Sequence, residues 1–534
     1  MRLTYDGLKD IASWKKAGID LPPYDPQKLA EDTRKDPRWI HFGIGNIFRI
    51  FVGGIADNLI RAGLLDRGII CAETFDYDVA DKIYAPFDNL ALAVTLHEDG
   101  QTDKRILGSL TEAVKAPQDW TRLTEIFTWP GLQIVSFTIT EKGYALHGAD
   151  GKYFPFVEAD MNNGPDKPKG AMAIVTAMLH ERFKAGAKPL ALVSMDNVSQ
   201  NGKKLRESVI ETAEKWNAKG FVPAEFVEYV KDEGRVSFAW TMIDKITPRP
   251  SEDVAKMLAG LGVDDMSIVV TSKRTYIAPF VNAEAPGYLV IEDSFPNGRP
   301  PLEKSDMGVY MADRNTVNLS ERMKVTACLN PIHSALCTYD ILLGYELFAD
   351  GMHDAELAKL ADAVGYAEGL PVVEDPKILS PKKFLDECMK VRFPNPYLGD
   401  TSARIATDIS QGLAFRFGET VKAWVKRSGT AESLTGIPLA IAGWLRYILG
   451  VDDAGKKYEL SPDPMNAEIS GLLAGVEIGK PESVGEKLKP ILSNERIFGV
   501  NLYDAGIGAK VEAIFRDEVA GFGAVREALK KYLA

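Results

Sequence analysis

The amino-acid sequence predicts an α/β protein in which a parallel-sheet domain of nucleotide-binding type precedes a mostly helical domain. Two observations carry this expectation. Apolar, β-rich runs at 39–43, 68–72, 132–140 and 189–195 alternate with helical stretches such as 171–185 as far as about residue 290, the pattern of a parallel sheet covered by helices. After the turn-rich segment 293–301 the texture changes, and from residue 325 onward helical patterns dominate. The expected division is an N-terminal arm at 1–36, an α/β domain at 37–295 and a helical domain at 296–534.

Residues 1–36 are polar and broken by Pro22, Pro23 and Pro26, so they read as an arm or helical lead-in. The run 39–43 ends in Gly43-Ile44-Gly45, and the next seventeen or so residues place Ile47, Ile50, Phe51, Ile55 and Leu59 at helical spacing. A second strand at 68–72 ends on Glu73. The apolar stretch 434–451 contains Pro438 and Arg446 and falls short of the ~18 uninterrupted apolar residues of a membrane span.

Composition narrows the function classes. The chain has 534 residues, 46% hydrophobic and 26% charged, ordinary for a soluble globular protein. Its 63 Lys+Arg against 75 Asp+Glu leave a net charge of −12, which argues against nucleic acid or an anionic membrane as the main partner. Cys71, Cys328, Cys337 and Cys388 form no CxxC pair, so a reducing cytoplasm is expected, and the N-terminus lacks the apolar core of a secretory signal. Six scattered histidines, none at i, i+4 spacing, give no metal site.

Three segments carry candidate chemistry. At Gly43-Ile44-Gly45 a strand turns into a helix, where glycine lets the backbone approach a pyrophosphate. The third glycine of the usual fingerprint is replaced by Phe48; Arg49 lies one turn into the helix. Glu73, 28 residues past Gly45 (73 − 45), or Asp76 is placed to meet a ribose, and a carboxylate there disfavours a 2′-phosphate, hence NAD over NADP. A plain turn and a solvated strand end have the same signature. The polar run 194–202, with Asn197, follows an apolar strand and falls at the ligand-binding edge of such a sheet, although a hydrogen-bonded loop reads alike. In the third segment Lys324, Asn330 and His333 occur close together, with Asn330 and His333 at i, i+3. A desolvated lysine can exchange a proton, an amide can hold an oxyanion and a histidine can orient a hydroxyl, all without a metal. A capped helix with a buried histidine is the bland alternative.

Together these segments resemble the polyol-specific long-chain dehydrogenases, the family of mannitol 2-dehydrogenase and the hexuronate reductases. The likeness runs from His41 to about Thr420 through GIGNIFR (43–49), FTITEKGY (137–144), SMDNVSQNG (194–202), MIDKITP (242–248), IEDSFPNGRP (291–300), ERMK…LNPIHSAL (321–336) and RFPNP…D…RIATD (392–408). The resemblance implies a Rossmann-type domain, a helical substrate domain, and metal-independent hydride exchange between NAD(H) and a small ketose, polyol or sugar acid, in a monomer or small homo-oligomer. It implies Lys324 as general acid/base, Asn197 and Asn330 as the pair polarising the carbonyl, His333 as a positioning group and Glu321 in proton passage. Substrate contacts are implied for Asp244 and Arg404. Cofactor contacts are implied for Gly43, Gly45, Asn46, Ile47, Phe48, Arg49, Glu73, Asp76, Thr140 and Glu141.

The sequence departs from the family pattern twice. Lys324 precedes Asn330 by six residues rather than five, which on an unbroken helix displaces the lysine by about 100°. Either the helix begins after Lys324 or one residue is absorbed in a π-bulge. The fructuronate reductase branch resembles this chain in the extra residue and in AETFD and LNPxH, which favours D-fructuronate and D-mannonate. The alternatives are tagaturonate, a free polyol such as mannitol or arabinitol, or an NAD-binding sensor without activity. Secondly, Gly412 stands where the family pattern has a lysine, leaving Arg416 or Arg404 to meet a substrate carboxylate.

Overall fold

The computed structural model describes residues 1–116, 118–148 and 150–534. The chain forms two compact units, Met1–Asn318 and Leu319–Ala534.

The first unit is built on six strands: β1 (Trp39–Phe42), β2 (Ile69–Glu73), β3 (Leu110–Lys115), β4 (Ile134–Phe137), β5 (Leu190–Ser194) and β6 (Val236–Ala239). All pair in parallel, in the order β3-β2-β1-β4-β5-β6. This is the doubly wound order 3-2-1-4-5-6, whose direction of winding reverses beside β1. Alternate residues of β1 serve opposite layers. Ile40 and Phe42 pack with Val135, Leu192, Val175 and Met178, whereas Trp39 packs with Phe48, Phe51 and Ile55. Both faces are covered, so the central strands read as continuous apolar runs rather than as alternating ones.

Residues 1–36 are not a loose arm. Leu3, Trp14 and Ile19 share a core with Leu92, Val94 and Phe280, and the Trp14 indole donates to the Gly7 carbonyl at 2.9 Å. The helix Pro26–Lys35 starts where its residue types dictate, with Asp25 accepting from Lys28 N and proline at the first turn. Two three-stranded sheets and a two-stranded hairpin complete the unit. In one sheet, Ala91–Leu96 lies between Phe280–Glu284 and Thr102–Leu107; in the other, Tyr288–Glu292 lies between Val309–Ala312 and Thr241–Asp244.

A helix, α1 (Gly53–Arg61), follows the β1 turn, and the division between units falls within α2 (Arg314–Met323). Among the described residues the second unit contains no strand. Its principal helices are α3 (Asn330–Leu343), α4 (Gly436–Ile448) and α5 (Gly508–Glu518). Every residue of α4 is buried, which makes the apolar 434–451 stretch a core helix. Pro438 breaks no bond there, because it falls in the first turn, where backbone N–H groups lack helical partners. The N–H groups of Thr435, Gly436 and Ile437 donate instead to the buried Glu368 carboxylate at 2.5–2.8 Å. Arg446 is satisfied by the carbonyls of Val451, Asp452 and Glu518. Among the described residues no helix is long and apolar enough to cross a membrane.

Candidate active site

In the first unit the candidate site starts at the turn after β1. Gly43 has φ +91°, and a Cβ there would lie 2.0 Å from the Thr138 carbonyl oxygen, so only glycine fits. Gly45 is different: a Cβ on it would meet nothing within 4 Å. Its backbone borders open space where the helical run 46–61 begins, and the buried Oδ1 of Asn46 has no hydrogen-bond partner. A helix N-terminus behind a side-chain-free turn, at the reversal of strand order, suits a dinucleotide pyrophosphate.

The turn is held by a chain of hydrogen bonds. The Trp39 indole donates to Ser136 Oγ (2.7 Å), and Ser136 Oγ lies 2.7 Å from His41 Nδ1. On the other side His41 Nε2 lies 2.8 Å from Thr138 Oγ1, which donates to the Gly43 carbonyl at 2.9 Å. Each hydroxyl has a single proton, so the sequence of donors fixes the neutral imidazole with its hydrogen on Nε2. Burial agrees, holding His41 well below the usual histidine range. Phe48, at the missing third glycine, stacks on this imidazole with ring centroids 4.0 Å apart, within the π-helical turn Phe48–Val52. The aromatic pair takes the close helix–strand packing that the glycine otherwise provides.

Arg49 departs from its expected cofactor role. Its guanidinium is buried and donates to the carbonyls of Ala278 and Pro279 at 2.7 and 2.8 Å, so its charge is committed to internal packing. Glu73 shapes the loop that follows it: one oxygen accepts the N–H groups of Thr74, Phe75 and Asp76, while burial raises its pKa. Asp76 Oδ2 accepts the hydroxyls of Thr271 and Thr275, both at 2.6 Å.

Beyond β4 and β5 the organiser is Asp196, a residue the sequence reading passed over inside SMDN. Its carboxylate accepts from Ile139 N, Thr140 N and the Tyr144 hydroxyl at 2.7–2.9 Å. These bonds hold Thr140 at φ +64°, a conformation unusual for threonine. Asn197 is exposed directly after it, at the C-terminal edge of the sheet. Glu141, also expected at the cofactor, pairs with Lys204 on the surface. Asp244 is buried at the end of Thr241–Asp244, in register with Tyr288.

In the second unit Lys324 is buried and opens the π-helical turn Lys324–Cys328. The helix therefore does not begin after the lysine; the extra residue is taken up in the widened turn, closed by Leu329 N donating to the Lys324 carbonyl at 3.1 Å. Leu329 breaks the run (φ −136°, ψ −66°) and α3 restarts at Asn330 with Pro331 in its first turn. Asn330 Oδ1 is buried and lacks a hydrogen-bond partner. His333, one turn on, packs its ring against Phe348 and Phe393 at 4.7 and 4.8 Å. Glu321 is buried one turn before the lysine.

The two candidate arginines separate clearly. Arg404 is exposed and bidentate to Asp400, at 2.7 Å from Nε and 2.6 Å from Nη2. Arg416 is half-buried and donates to Ser334 Oγ at 2.7 Å, and among the described residues no carboxylate pairs with it.

The Rossmann domain of mannitol dehydrogenase matches residues 37–304, and the mannitol dehydrogenase C-terminal domain matches residues 317–515. The chain belongs to the mannitol dehydrogenase family. A D-mannonate oxidoreductase of Thermotoga maritima is 50% identical over 535 residues, covering 99% of each chain. Among solved structures, a substrate-free D-sorbitol dehydrogenase superposes with a TM-score of 0.79 at 26% identity, covering 96% of this chain and 98% of that one. The Pseudomonas fluorescens mannitol 2-dehydrogenase, in a ternary complex with NAD and D-mannitol, superposes with a TM-score of 0.74 at 25% identity, covering 100% and 99%. The mannitol dehydrogenase family thus spans both units of the chain.

Proposed function

We propose that the chain is an NAD(H)-dependent hexuronate reductase interconverting D-fructuronate and D-mannonate. The observation that carries this reading is the half-buried Arg416 guanidinium, which has no carboxylate partner among the described residues and is tied to Ser334, the neighbour of His333. A sugar acid brings the missing carboxylate, and arginine is the side chain best shaped to take one. The 50% identical D-mannonate oxidoreductase points to the same substrate pair.

The residues of the β1 turn fit the cofactor: the open backbone at Gly45, Asn46 and Ile47 would receive the pyrophosphate, and Glu73 would face the ribose. Bound NAD(H) supplies or accepts the hydride. Lys324, in its ammonium form, donates a proton to the oxygen of the reduced carbonyl; in the reverse direction the neutral amine removes it. The amides of Asn197 and Asn330 hold the developing negative charge, and His333 orients a substrate hydroxyl. Asp244 contacts substrate hydroxyls and Glu321 passes the proton toward solvent. Cofactor groups fall within 37–295 and proton-transfer groups within 296–534. Four buried cysteines, none of them in a disulfide among the described residues, suit a reducing cytoplasm, where the enzyme would act as a monomer or small homo-oligomer.

The test is NADH oxidation with D-fructuronate, D-tagaturonate and D-fructose in parallel. D-fructuronate is expected to give the highest kcat/KM; equal or better turnover of the uncharged ketose overturns the assignment.

A further inference from the structure

Outside the groups used above, the first unit has a latched hairpin at the end of the sheet where the cofactor is expected. Val269–Val270 pairs antiparallel with Tyr276–Ile277. The connecting turn is fastened to the loop after β2. Thr271 and Thr275 donate their hydroxyls to Asp76 Oδ2, and Ser272 N donates to Asp78 Oδ2 at 2.8 Å. Lys273 places its ammonium 5.1 Å from the centre of the Phe75 ring. That ring is 66% exposed, an uncommon state for so large an apolar side chain. Below it, Tyr77 donates to the Ala116 carbonyl, just past β3, at 2.6 Å. Asp76 is 5% exposed, and its second oxygen, Oδ1, is buried with no hydrogen-bond partner.

We infer that this hairpin is the outer wall of an adenosine subsite, with Phe75 as the platform on which adenine stacks. In a doubly wound sheet an acid at the end of β2 faces the ribose, so the residues just past it lie toward the base. Phe75 is two residues beyond Glu73 and is held by it through its own N–H. An exposed aromatic face backed by a cation suits a purine. Asp76 then acts as a positioning residue: it sets the hairpin over the base through Thr271 and Thr275. The inference rests on the dehydrogenase reading above and adds to it the residues that receive the nonreacting half of the cofactor.

The experiment uses ADP-ribose, which lacks the nicotinamide, and nicotinamide mononucleotide, which lacks the adenosine, both titrated calorimetrically into the full-length protein. Phe75→Ala is expected to weaken ADP-ribose about tenfold or more, as for loss of one base–aromatic stack, and to weaken nicotinamide mononucleotide far less. Phe75→Trp should restore the affinity. Thr271→Val with Thr275→Val should weaken ADP-ribose comparably, with thermal melts reporting whether the fold is retained. ADP-ribose affinity within twofold of wild type in Phe75→Ala, or equal losses for both ligands, overturns the inference while leaving NADH-dependent turnover, and so the dehydrogenase reading, intact. A wild-type protein that binds neither ADP-ribose nor NADH overturns both.

Discussion

Arg416 Nε lies 2.4 Å from where a Cβ on Gly412 would sit. The arginine therefore occupies the space into which a side chain at 412 would extend, and a lysine at 412 would require Arg416 to move. Cationic charge is present at this place in the fold, but it is carried four residues later and one π-helical turn on.

Replacing that arginine should separate charged from uncharged substrates. Arg416→Ala is expected to raise KM for D-fructuronate by roughly ten- to a hundredfold, the loss of a charge-assisted hydrogen bond worth about 1.5–3 kcal/mol. kcat should change less, and Arg416→Lys should recover part of the loss. Kinetics on D-fructuronate and D-fructose check this; equal losses on the two substrates would count against a carboxylate contact.

Lys324→Ala should lower kcat by about 10²–10⁴, the range for removing a general acid/base. NADH affinity, measured by fluorescence titration, should stay within about threefold. Because mannonate oxidation releases a proton, each pH unit upward should favour it about tenfold at equilibrium; a mutant with near wild-type turnover removes the lysine from the mechanism.

The two glycines of the β1 turn should fail differently. Gly43→Ala forces a Cβ to within 2.0 Å of a carbonyl oxygen at positive φ, and should cost at least about 2 kcal/mol of stability. Gly45→Ala adds a methyl into open space, so stability should hold within about 0.5 kcal/mol while NADH affinity falls. Paired melting and titration experiments distinguish the two.

Glu518 gives a pH prediction. It is fully buried, and burial pushes its carboxyl up to about 8 from an ordinary 4.5. The Tyr339 hydroxyl lies 2.8 Å from the Leu439 carbonyl and 2.5 Å from Glu518 Oε1, yet has one proton. A protonated Glu518 donating to the tyrosine oxygen satisfies both contacts. The native state thus binds a proton that the unfolded chain releases above about 4.5, so stability falls as pH rises from there to about 8. Glu518→Gln should leave stability near wild type at pH 4.5 and exceed it at pH 9 by an amount on the order of a few kcal/mol, read from denaturant melts.

Much of the fold was legible because buried parallel strands are apolar runs and the turn after β1 needs its glycine. β3 was not, since an edge strand that reads LTEAVK is neither a continuous apolar run nor a regular alternation. Nor was the packing of residues 1–36, because a polar stretch broken by three prolines reads as an arm or helical lead-in whether or not Trp14 is buried. In the site, the six-residue spacing from Lys324 to Asn330 left two geometries open, and only backbone dihedrals distinguish a widened turn from a late helix start. The inward turn of Arg49 and the surface pairing of Glu141 were not legible either, because position along a motif does not say where a long side chain points. Asp196 was in plain view, but an acid accepting backbone N–H groups has no sequence signature of its own.

The links that run from Trp39 through Ser136, His41 and Thr138 to Gly43 are all electrically neutral, and the one imidazole among them is held far below its ordinary titration range. Acidity can therefore act on the proposed acid/base Lys324 without deforming the turn after β1. On the proposed mechanism, a pH–rate profile for this enzyme should then report proton exchange at the substrate rather than collapse of this turn.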